Sequence, residues 1–293
     1  MRVGRTIGKA LIPAAGLGTR LLSATKEQPK EMLPLFATSD DGALCVKPLV
    51  QQIFEQLFDF GVREFYFVVG KEKRAIEDHF TVDREYIRRL NSQGRNSQAL
   101  QLENFYRRIE GSMIVWVNQP EPKGFGDAVL QAKRLIWGEP FLVHAGDTLI
   151  NSRTETVPTR LTQAYMKIRA EATLALLKVD DARQYGVAEV LETSNGDFEV
   201  KRVVEKPTQP TSKLAIMPLY ILNPTIFEAL EATPPGKGGE IQLTDAIQKL
   251  IDTGHSVHAI KLREEDIHLD IGTPETYWEA LELSHRYASS KDR

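Results

Sequence analysis

Short, continuous apolar runs alternate with helical patterns through the first half of the chain, and this rhythm constrains the fold most strongly. The runs at residues 65–70 (FYFVVG) and 141–145 (FLVHA) are typical of strands that are buried on both faces. Between strands, residues 49–58 repeat apolar side chains at helical spacing, and Gly61 marks the expected end of that helix. The alternation predicts an α/β fold with a Rossmann-like, mainly parallel sheet and helices on both faces.

The second half of the chain extends this pattern with a predicted hairpin. Asn195-Gly196 stands between two apolar-rich runs, and this dipeptide is typical of a tight hairpin turn. Residues 83–109 are polar and predict a helical insertion at the rim of the sheet. The other predicted elements are strands at residues 7–12, 114–118, 173–179 and 214–222, and helices at 127–137, 242–252 and 274–287.

Composition narrows the class of protein. The chain has 293 residues and a net charge of −3, so no broad attraction to nucleic acid or to membranes is expected. Its single cysteine, Cys45, excludes an internal disulfide and a cysteine metal cluster, and we expect an inert thiol in a loop. No apolar run approaches the roughly 20 residues of a membrane span, and the N-terminus lacks the apolar core of a signal peptide. We therefore expect a cytoplasmic enzyme.

Residues 14–34 (AAGLGTRLLSATKEQPKEMLP) follow the first predicted strand and carry the most functional information. Their small residues and glycines expose backbone N–H groups that can wrap a phosphate chain. The segment also supplies two cations, Arg20 and Lys30, so it suits a nucleoside triphosphate. The residues expected to contact the nucleotide through this loop are Ala14, Ala15, Gly16, Gly18 and Thr19.

Two commoner glycine loops do not fit this segment. The dinucleotide fingerprint needs a third glycine where Leu21 stands, and the Gly-Lys-Ser/Thr of the P-loop occurs nowhere in the chain. The segment instead resembles the nucleotide loop of the sugar-1-phosphate nucleotidyltransferases, which reads G-x-G-T-R and then P-K-E/Q-M/L-L-P. Every position of that pattern is filled, by Gly16, Gly18, Thr19, Arg20 and residues 29–34.

Residues 119–128 (QPEPKGFGDA) resemble the Q-x-x-x-x-G-x-G-x-A segment of the same family, in which the glutamine reads a pyrimidine base. The resemblance implies that Gln119 and Gly124 bind the nucleotide. A primary amide has one acceptor and two donors, so Gln119 could pair with both N3–H and O4 of uracil. Gly124 would let the backbone approach the ring closely.

Two aspartates are candidate metal ligands. Asp147 follows the predicted strand at 141–145, and ligands of open α/β sheets bind at the carboxyl ends of strands. A carboxylate there suits Mg²⁺, although a loop or helix-cap aspartate is an equal alternative from this segment alone. GT-A glycosyltransferases usually carry Asp-x-Asp at this point, whereas Asp147 is followed by Thr148-Leu149. The family resemblance of residues 270–280 (DIGTPETYWEA) implies that Asp270 is a second metal ligand.

Tyr185-Gly186-Val187 and Glu205-Lys206-Pro207 resemble the sugar-binding segments of the family. The resemblance implies that the Gly186 backbone and the Glu205 carboxylate hold sugar hydroxyls, and that Lys206 holds the sugar phosphate.

Residues 236–247 (GKGGEIQLTDAI) and 270–280 are similar to the bacterial- and archaeal-type UTP–glucose-1-phosphate uridylyltransferases. Residues 216–220 (IMPLY) depart from the Gly-Arg-Tyr that the family often has there.

These resemblances imply transfer of a uridylyl group from UTP to α-D-glucose 1-phosphate, giving UDP-glucose and pyrophosphate, with Mg²⁺ as the cofactor. Asp147 and Asp270 would hold Mg²⁺. Arg20 would stabilise the leaving pyrophosphate, and Lys30 the α-phosphate. Lys206 would offset the repulsion between the two anionic substrates.

We expect residues 1–293 to form a single nucleotidyltransferase domain. In it, residues 1–150 would be the nucleotide-binding half, and residues 151–293 the sugar-phosphate-binding half with a C-terminal helix. A homodimer or homotetramer is expected, without nucleic-acid or membrane partners. Two alternatives stay open: a thymidylyltransferase or mixed-specificity enzyme, and a non-catalytic regulatory subunit that binds nucleotide sugars.

Overall fold

The computed structural model describes residues 7–71, 73–193 and 197–290, with only the backbone of Lys237. Strands and helices alternate along this part of the chain. The strands are β1 (Lys9–Pro13), β2 (Pro34–Thr38), β3 (Leu44–Pro48), β4 (Glu64–Val69), β5 (Met113–Asn118), β6 (Phe141–His144), β7 (Thr148–Asn151), β8 (Ala172–Lys178), β9 (Gly186–Glu192), β10 (Phe198–Glu205), β11 (Leu214–Leu222), β12 (Val257–Lys261) and β13 (Ile267–Asp270). The helices are α1 (Leu22–Thr25), α2 (Leu49–Phe60), α3 (Arg74–His79), α4 (Arg84–Ser92), α5 (Asn96–Glu110), α6 (Phe125–Gln131), α7 (Val157–Ile168), α8 (Thr225–Glu231), α9 (Leu243–Asp252) and α10 (Pro274–Ser289).

Nine of the described strands form one sheet in the order β5-β4-β1-β6-β11-β8-β12-β10-β9. The four strands from the first half of the chain, β5, β4, β1 and β6, pair in parallel, as does β8 with β12. Strand β11 lies antiparallel between β6 and β8, and β10 pairs antiparallel with both β9 and β12. The parallel pairing predicted from the apolar runs therefore describes the first half, and the second half is mixed.

Each face of the sheet carries its own apolar core, because successive side chains of a strand point to opposite faces. Ala10 and Ile12 of β1 enter the core beneath α2 and α7, whereas Leu11 enters the core beneath α6, α8 and α9. In β4, Phe67 likewise enters the core beneath α2 and α7, and Val68 enters the core beneath α6, α8 and α9. Burial on both faces explains the unbroken apolar runs, and the predicted α/β class with helices on both faces is confirmed.

Two small sheets supplement the main one. Strands β2 and β3 form an antiparallel pair, so the prediction of a loop around Cys45 was wrong: Cys45 lies in β3. The pair is stabilised by α10, where the Tyr277 hydroxyl donates to the Pro34 carbonyl at 3.2 Å. Strands β7 and β13 form the second pair, antiparallel, with Asp270 opposite Thr148.

Most predicted helices and strands lie within a few residues of their expected bounds. The helix predicted at 127–137 was placed too late and too long, because α6 begins at Phe125 and gives way to turns after Gln131. The predicted Asn195-Gly196 turn lies outside the described residues, but β9 and β10 on either side of it pair antiparallel. No helix in the described ranges is long and apolar enough to cross a membrane.

Candidate active site

The loop that follows β1 forms one wall of a cleft at the carboxyl end of the parallel strands. Its first residue is fixed by a backbone hydrogen bond from the Ala14 N–H to the Val68 carbonyl of β4, at 2.8 Å. Its last turn is fixed by the Thr25 hydroxyl, which donates to the Gly18 carbonyl at 2.8 Å. The segment between these anchors therefore keeps a defined shape beside the sheet.

The cleft has a volume of about 310 Å³, and most of the predicted nucleotide-binding and catalytic residues line it. Ala14 is instead buried behind it, and its contribution is the backbone anchor to β4. The predicted residues that line the cleft are Ala15, Gly16, Gly18, Thr19, Arg20, Lys30, Gln119, Gly124 and Asp147. Residues so far apart in sequence meet here because β1, β5 and β6 all end at this edge of the sheet.

Lys30 lies among three carboxylates on the floor of the cleft. Its Nζ is 2.5 Å from Asp147 Oδ2. Burial alone would lower the pKa of the Lys30 ammonium, but the charges of Asp147, Glu31 and Asp270 outweigh it and raise the pKa above the usual 10.5. Burial would likewise raise the pKa of Asp147, but Lys30 outweighs it and lowers that pKa below the usual 3.8. Both groups are therefore charged at neutral pH.

The pairing of β7 with β13 brings Asp270 to the same place as Asp147. Asp270 ends β13, and the Ile271 N–H that follows donates to the Asp147 carbonyl at 3.3 Å. The Gly272 N–H donates to Asp270 Oδ2 at 3.1 Å. A Cβ at Gly272 would stand 2.8 Å from that oxygen and 3.3 Å from Arg20 Nη2, so the Arg20 guanidinium borders the same spot.

The chemistry of these groups fits the predicted magnesium site. Mg²⁺ prefers oxygen ligands and is commonly bound by one or two carboxylates together with substrate phosphates and water. Asp147 and Asp270 provide two carboxylates, and the negative charges of both already attract one cation, the Lys30 ammonium. No cluster of three or more His, Cys, Asp or Glu suited to a metal occurs among the described residues, so phosphate oxygens would have to complete the shell.

Gln119 lies in the cleft wall with only 4% of its surface exposed. Its Nε2 donates to Asp127 Oδ2 at 2.7 Å and to the Gly124 carbonyl at 3.2 Å. Both hydrogens of the amide are thus engaged, and Oε1 is the atom that remains for a ligand. In this arrangement Gln119 can accept a hydrogen bond from N3–H of uracil, but the expected donation to O4 would require the amide to leave its partners.

The predicted sugar-binding residues form a second group, at the facing ends of β9 and β10. Gly186 lies opposite Glu205, and a Cβ at Gly186 would stand 3.1 Å from Glu205 Oε2. Lys206 Nζ is 3.2 Å from Glu205 Oε1. Burial raises the pKa of the neighbouring Tyr185, and the negative charge of Asp270 adds to that rise.

Sequence reasoning missed several residues that support the site. Thr244 donates through Oγ1 to Glu205 Oε2 at 2.7 Å. Lys73 Nζ is 2.9 Å from Glu31 Oε2, and both side chains are buried behind Lys30. Burial raises the pKa of Glu31, and Lys73 and Lys30 oppose that rise. The family-like segments contained Thr244 and Glu31, but no pattern singled out Lys73.

Comparison with known proteins shows which family the chain belongs to. The family model described as "Nucleotidyl transferase" matches residues 9–286. The chain belongs to this family. The UTP–glucose-1-phosphate uridylyltransferase 2 of Staphylococcus saprophyticus is 41% identical over 250 residues, which cover 84% of this chain and 82% of the relative. The family resemblance read from the glycine loop is thereby confirmed.

Solved structures agree with the fold. A crystal structure of UDP-glucose pyrophosphorylase complexed with UDP-glucose superposes with a TM-score of 0.80 at 34% identity, covering 98% of this chain and all of the other. The UTP-bound UGPase from Acinetobacter baumannii has a TM-score of 0.81 at 29% identity and covers 95% of this chain and 93% of its own. The nucleotidyltransferase relatives therefore share the whole described architecture and not the glycine loop alone.

Proposed function

We propose that this protein transfers a uridylyl group from UTP to α-D-glucose 1-phosphate, giving UDP-glucose and pyrophosphate. The observation that carries the proposal is the position of Lys30, which lies beside Asp147 in the cleft that the glycine loop forms. Such a site presents cations and metal-binding carboxylates to a triphosphate. The UDP-glucose-forming relatives, alike over more than four-fifths of the chain, support the choice of nucleotide and sugar.

The proposed reaction is an in-line displacement at the α-phosphorus of UTP. An oxygen of the sugar phosphate forms the new bond to that phosphorus, while the bond to the bridging oxygen of the β-phosphate breaks and pyrophosphate leaves with the electron pair. A phosphate monoester has a second pKa of about 6, so it is largely a dianion at neutral pH and needs no general base. Catalysis then rests on positioning and on neutralising negative charge.

Each charged residue of the cleft is proposed to act on a different part of the reacting phosphates. Lys30 is held as an ammonium by its carboxylate neighbours and is proposed to contact the α-phosphate. Arg20, at the end of the loop beside Gly272, is proposed to stabilise the departing pyrophosphate. Asp147 and Asp270 would hold Mg²⁺, which supplies further neutralisation of phosphate charge when it is bound.

The group at β9 and β10 is proposed to bind the sugar phosphate. Glu205 would accept hydrogen bonds from sugar hydroxyls, with its carboxylate oriented by Thr244. Gly186, at the start of β9, would offer its backbone to the same sugar. Lys206 would hold the phosphate of glucose 1-phosphate and so reduce its repulsion from the triphosphate. None of these residues lines the nucleotide cleft, so the acceptor is proposed to bind at a separate site.

Two alternative functions, a thymidylyltransferase or mixed-specificity enzyme and a non-catalytic regulatory subunit, have less support. A thymidylyltransferase differs by one methyl group on the base, and a single methyl gives only about 10- to 200-fold discrimination, so some use of dTTP is compatible with the proposal. A non-catalytic subunit would have no need of Arg20, Lys30, Asp147 and Asp270 together. A cytoplasmic location and a homodimeric or homotetrameric assembly remain predictions.

The direct test is pyrophosphate release from UTP in the presence of glucose 1-phosphate and Mg²⁺. The same assay with a panel of other sugar 1-phosphates tests which sugar the enzyme prefers as the acceptor. We expect glucose 1-phosphate to give the highest kcat/KM. No pyrophosphate release with any sugar phosphate would contradict catalysis, and a preference for another sugar would contradict the assignment of the acceptor.

A further inference from the structure

The Gln119 amide is held in one orientation by two acceptors. Asp127 Oδ2 and the Gly124 carbonyl lie 2.7 and 3.2 Å from Gln119 Nε2, and neither can donate a hydrogen bond. The nitrogen must therefore face them, and the oxygen must face the other way. Within the described chain Oε1 accepts no hydrogen bond from the protein, while Gln119 lines the cleft.

Asp127 is itself fixed and shielded from water. Only 7% of its surface is exposed, and its second oxygen accepts a hydrogen bond from Gln131 Nε2 at 3.2 Å. The segment that carries it is held from outside, because the Gly126 N–H donates to the Ile241 carbonyl at 2.9 Å. The carboxylate thus has little freedom to move away from Gln119.

We propose that Asp127 is a positioning residue that makes the protein selective for uracil over cytosine. It would do so by keeping Gln119 Oε1, and not Nε2, directed at the base. The inference rests on the proposed function, in which Gln119 reads the pyrimidine.

The selectivity follows from the hydrogen-bonding pattern of the two bases. Uracil has a hydrogen on N3, whereas N3 of cytosine is an acceptor. A free primary amide can serve either base, because turning it over exchanges its donor and its acceptor with little change of shape. With Asp127 in place, turning Gln119 over would bring Oε1 against a carboxylate and a carbonyl oxygen, so the orientation that suits cytosine is disfavoured.

The experiment compares kcat/KM for UTP and CTP in the wild type, Asp127→Asn and Asp127→Ala. Asparagine keeps the shape of aspartate but can donate to Gln119 Oε1, and alanine removes the partner altogether. We expect the UTP/CTP ratio to fall by about 10-fold or more in both variants, the size expected for losing a hydrogen bond to a buried charge. General damage to the fold lowers both efficiencies together and leaves their ratio unchanged.

Two controls separate this inference from the proposal beneath it. Gln131→Leu removes the other hydrogen bond to Asp127 without touching Gln119, and the Gly126 backbone bond still holds the segment, so the ratio should stay near that of the wild type. Gln119→Ala should collapse the ratio. If Gln119→Ala collapses it and both Asp127 variants keep the wild-type ratio, the positioning role is refuted and base reading by Gln119 stands. If Gln119→Ala also keeps the ratio, base reading by Gln119 is refuted, and the inference fails with it.

Discussion

Asp270→Asn isolates the charge of one proposed metal ligand. The Asp270 carboxylate accepts a hydrogen bond from the Gly272 N–H at 3.1 Å, and an asparagine oxygen can accept the same bond. The turn after β13 should therefore keep its shape while one negative charge leaves the site. We expect kcat to fall at least about 100-fold, which corresponds to about 2.7 kcal/mol of lost transition-state stabilisation.

The assay is pyrophosphate release at saturating UTP and glucose 1-phosphate, repeated over a range of Mg²⁺ concentrations. Glu275→Gln is a matched control, because it removes the same charge from an exposed position on α10 just beyond the site. That control should retain wild-type turnover. Turnover of Asp270→Asn within about threefold of wild type at saturating Mg²⁺ would refute the role of Asp270 in holding the metal.

Three further changes test the neighbouring residues. Asp147→Asn should also lower turnover at least about 100-fold, and near-normal turnover at saturating Mg²⁺ would remove it from the metal site. Arg20→Ala should lower kcat more than it weakens glucose 1-phosphate binding; an unchanged kcat with only that binding altered would contradict a contact to pyrophosphate. Thr244→Val removes the hydrogen bond to Glu205 and should raise the KM for glucose 1-phosphate about 10-fold with the KM for UTP unchanged, and equal changes in both would contradict a role at the sugar.

The ion pair of Lys30 and Asp147 also predicts a pH dependence of stability. The folded pKa of Asp147 is depressed, so the stabilisation is complete above the unfolded value near 3.8 and is lost as the pH falls through the folded value. The folded pKa of Lys30 is raised, so the stabilisation is complete below the unfolded value near 10.5 and is lost as the pH rises through the folded value. Denaturant unfolding of wild type and Lys30→Met in metal-free buffer should therefore differ most between about pH 4 and pH 10. A difference in the free energy of unfolding that does not shrink at all as the pH falls below about 4 would contradict this pairing.

Features set by short stretches of sequence could be predicted. The apolar run of β4 needs no partner in order to indicate a buried strand, and the loop at residues 14–34 carries its glycines and cations within one segment. Parallel strands end at one edge of their sheet, which is why Gln119 and Asp147 could be expected near that loop.

Features that depend on distant pairing could not be predicted. The family resemblance implied that Asp147 and Asp270 meet, but their own segments did not, because the meeting requires β7 to pair with β13 and nothing in either short strand specifies the other. The β2–β3 pair was mistaken for a loop because exposed Leu44 and Val46 do not show the burial pattern of a core strand. Asp127 went unnoticed because its position in α6 suits an ordinary helix-start acidic residue, and only its 2.7 Å contact with Gln119 distinguishes it.

The nucleotide preference tests the central claim most directly. The measurement is kcat/KM for UTP, dTTP, CTP, ATP and GTP with glucose 1-phosphate and Mg²⁺, in the wild type and in Gln119→Ala. A base that leaves the buried amide unpaired costs about 1–3 kcal/mol, or about 5- to 160-fold in efficiency. We predict that UTP is best, dTTP is usable, and CTP, ATP and GTP are poor, and that Gln119→Ala flattens this ranking while the Mg²⁺ requirement persists. If ATP or GTP is the best substrate of the wild type, the protein is not a uridylyltransferase, even though its fold and family stand.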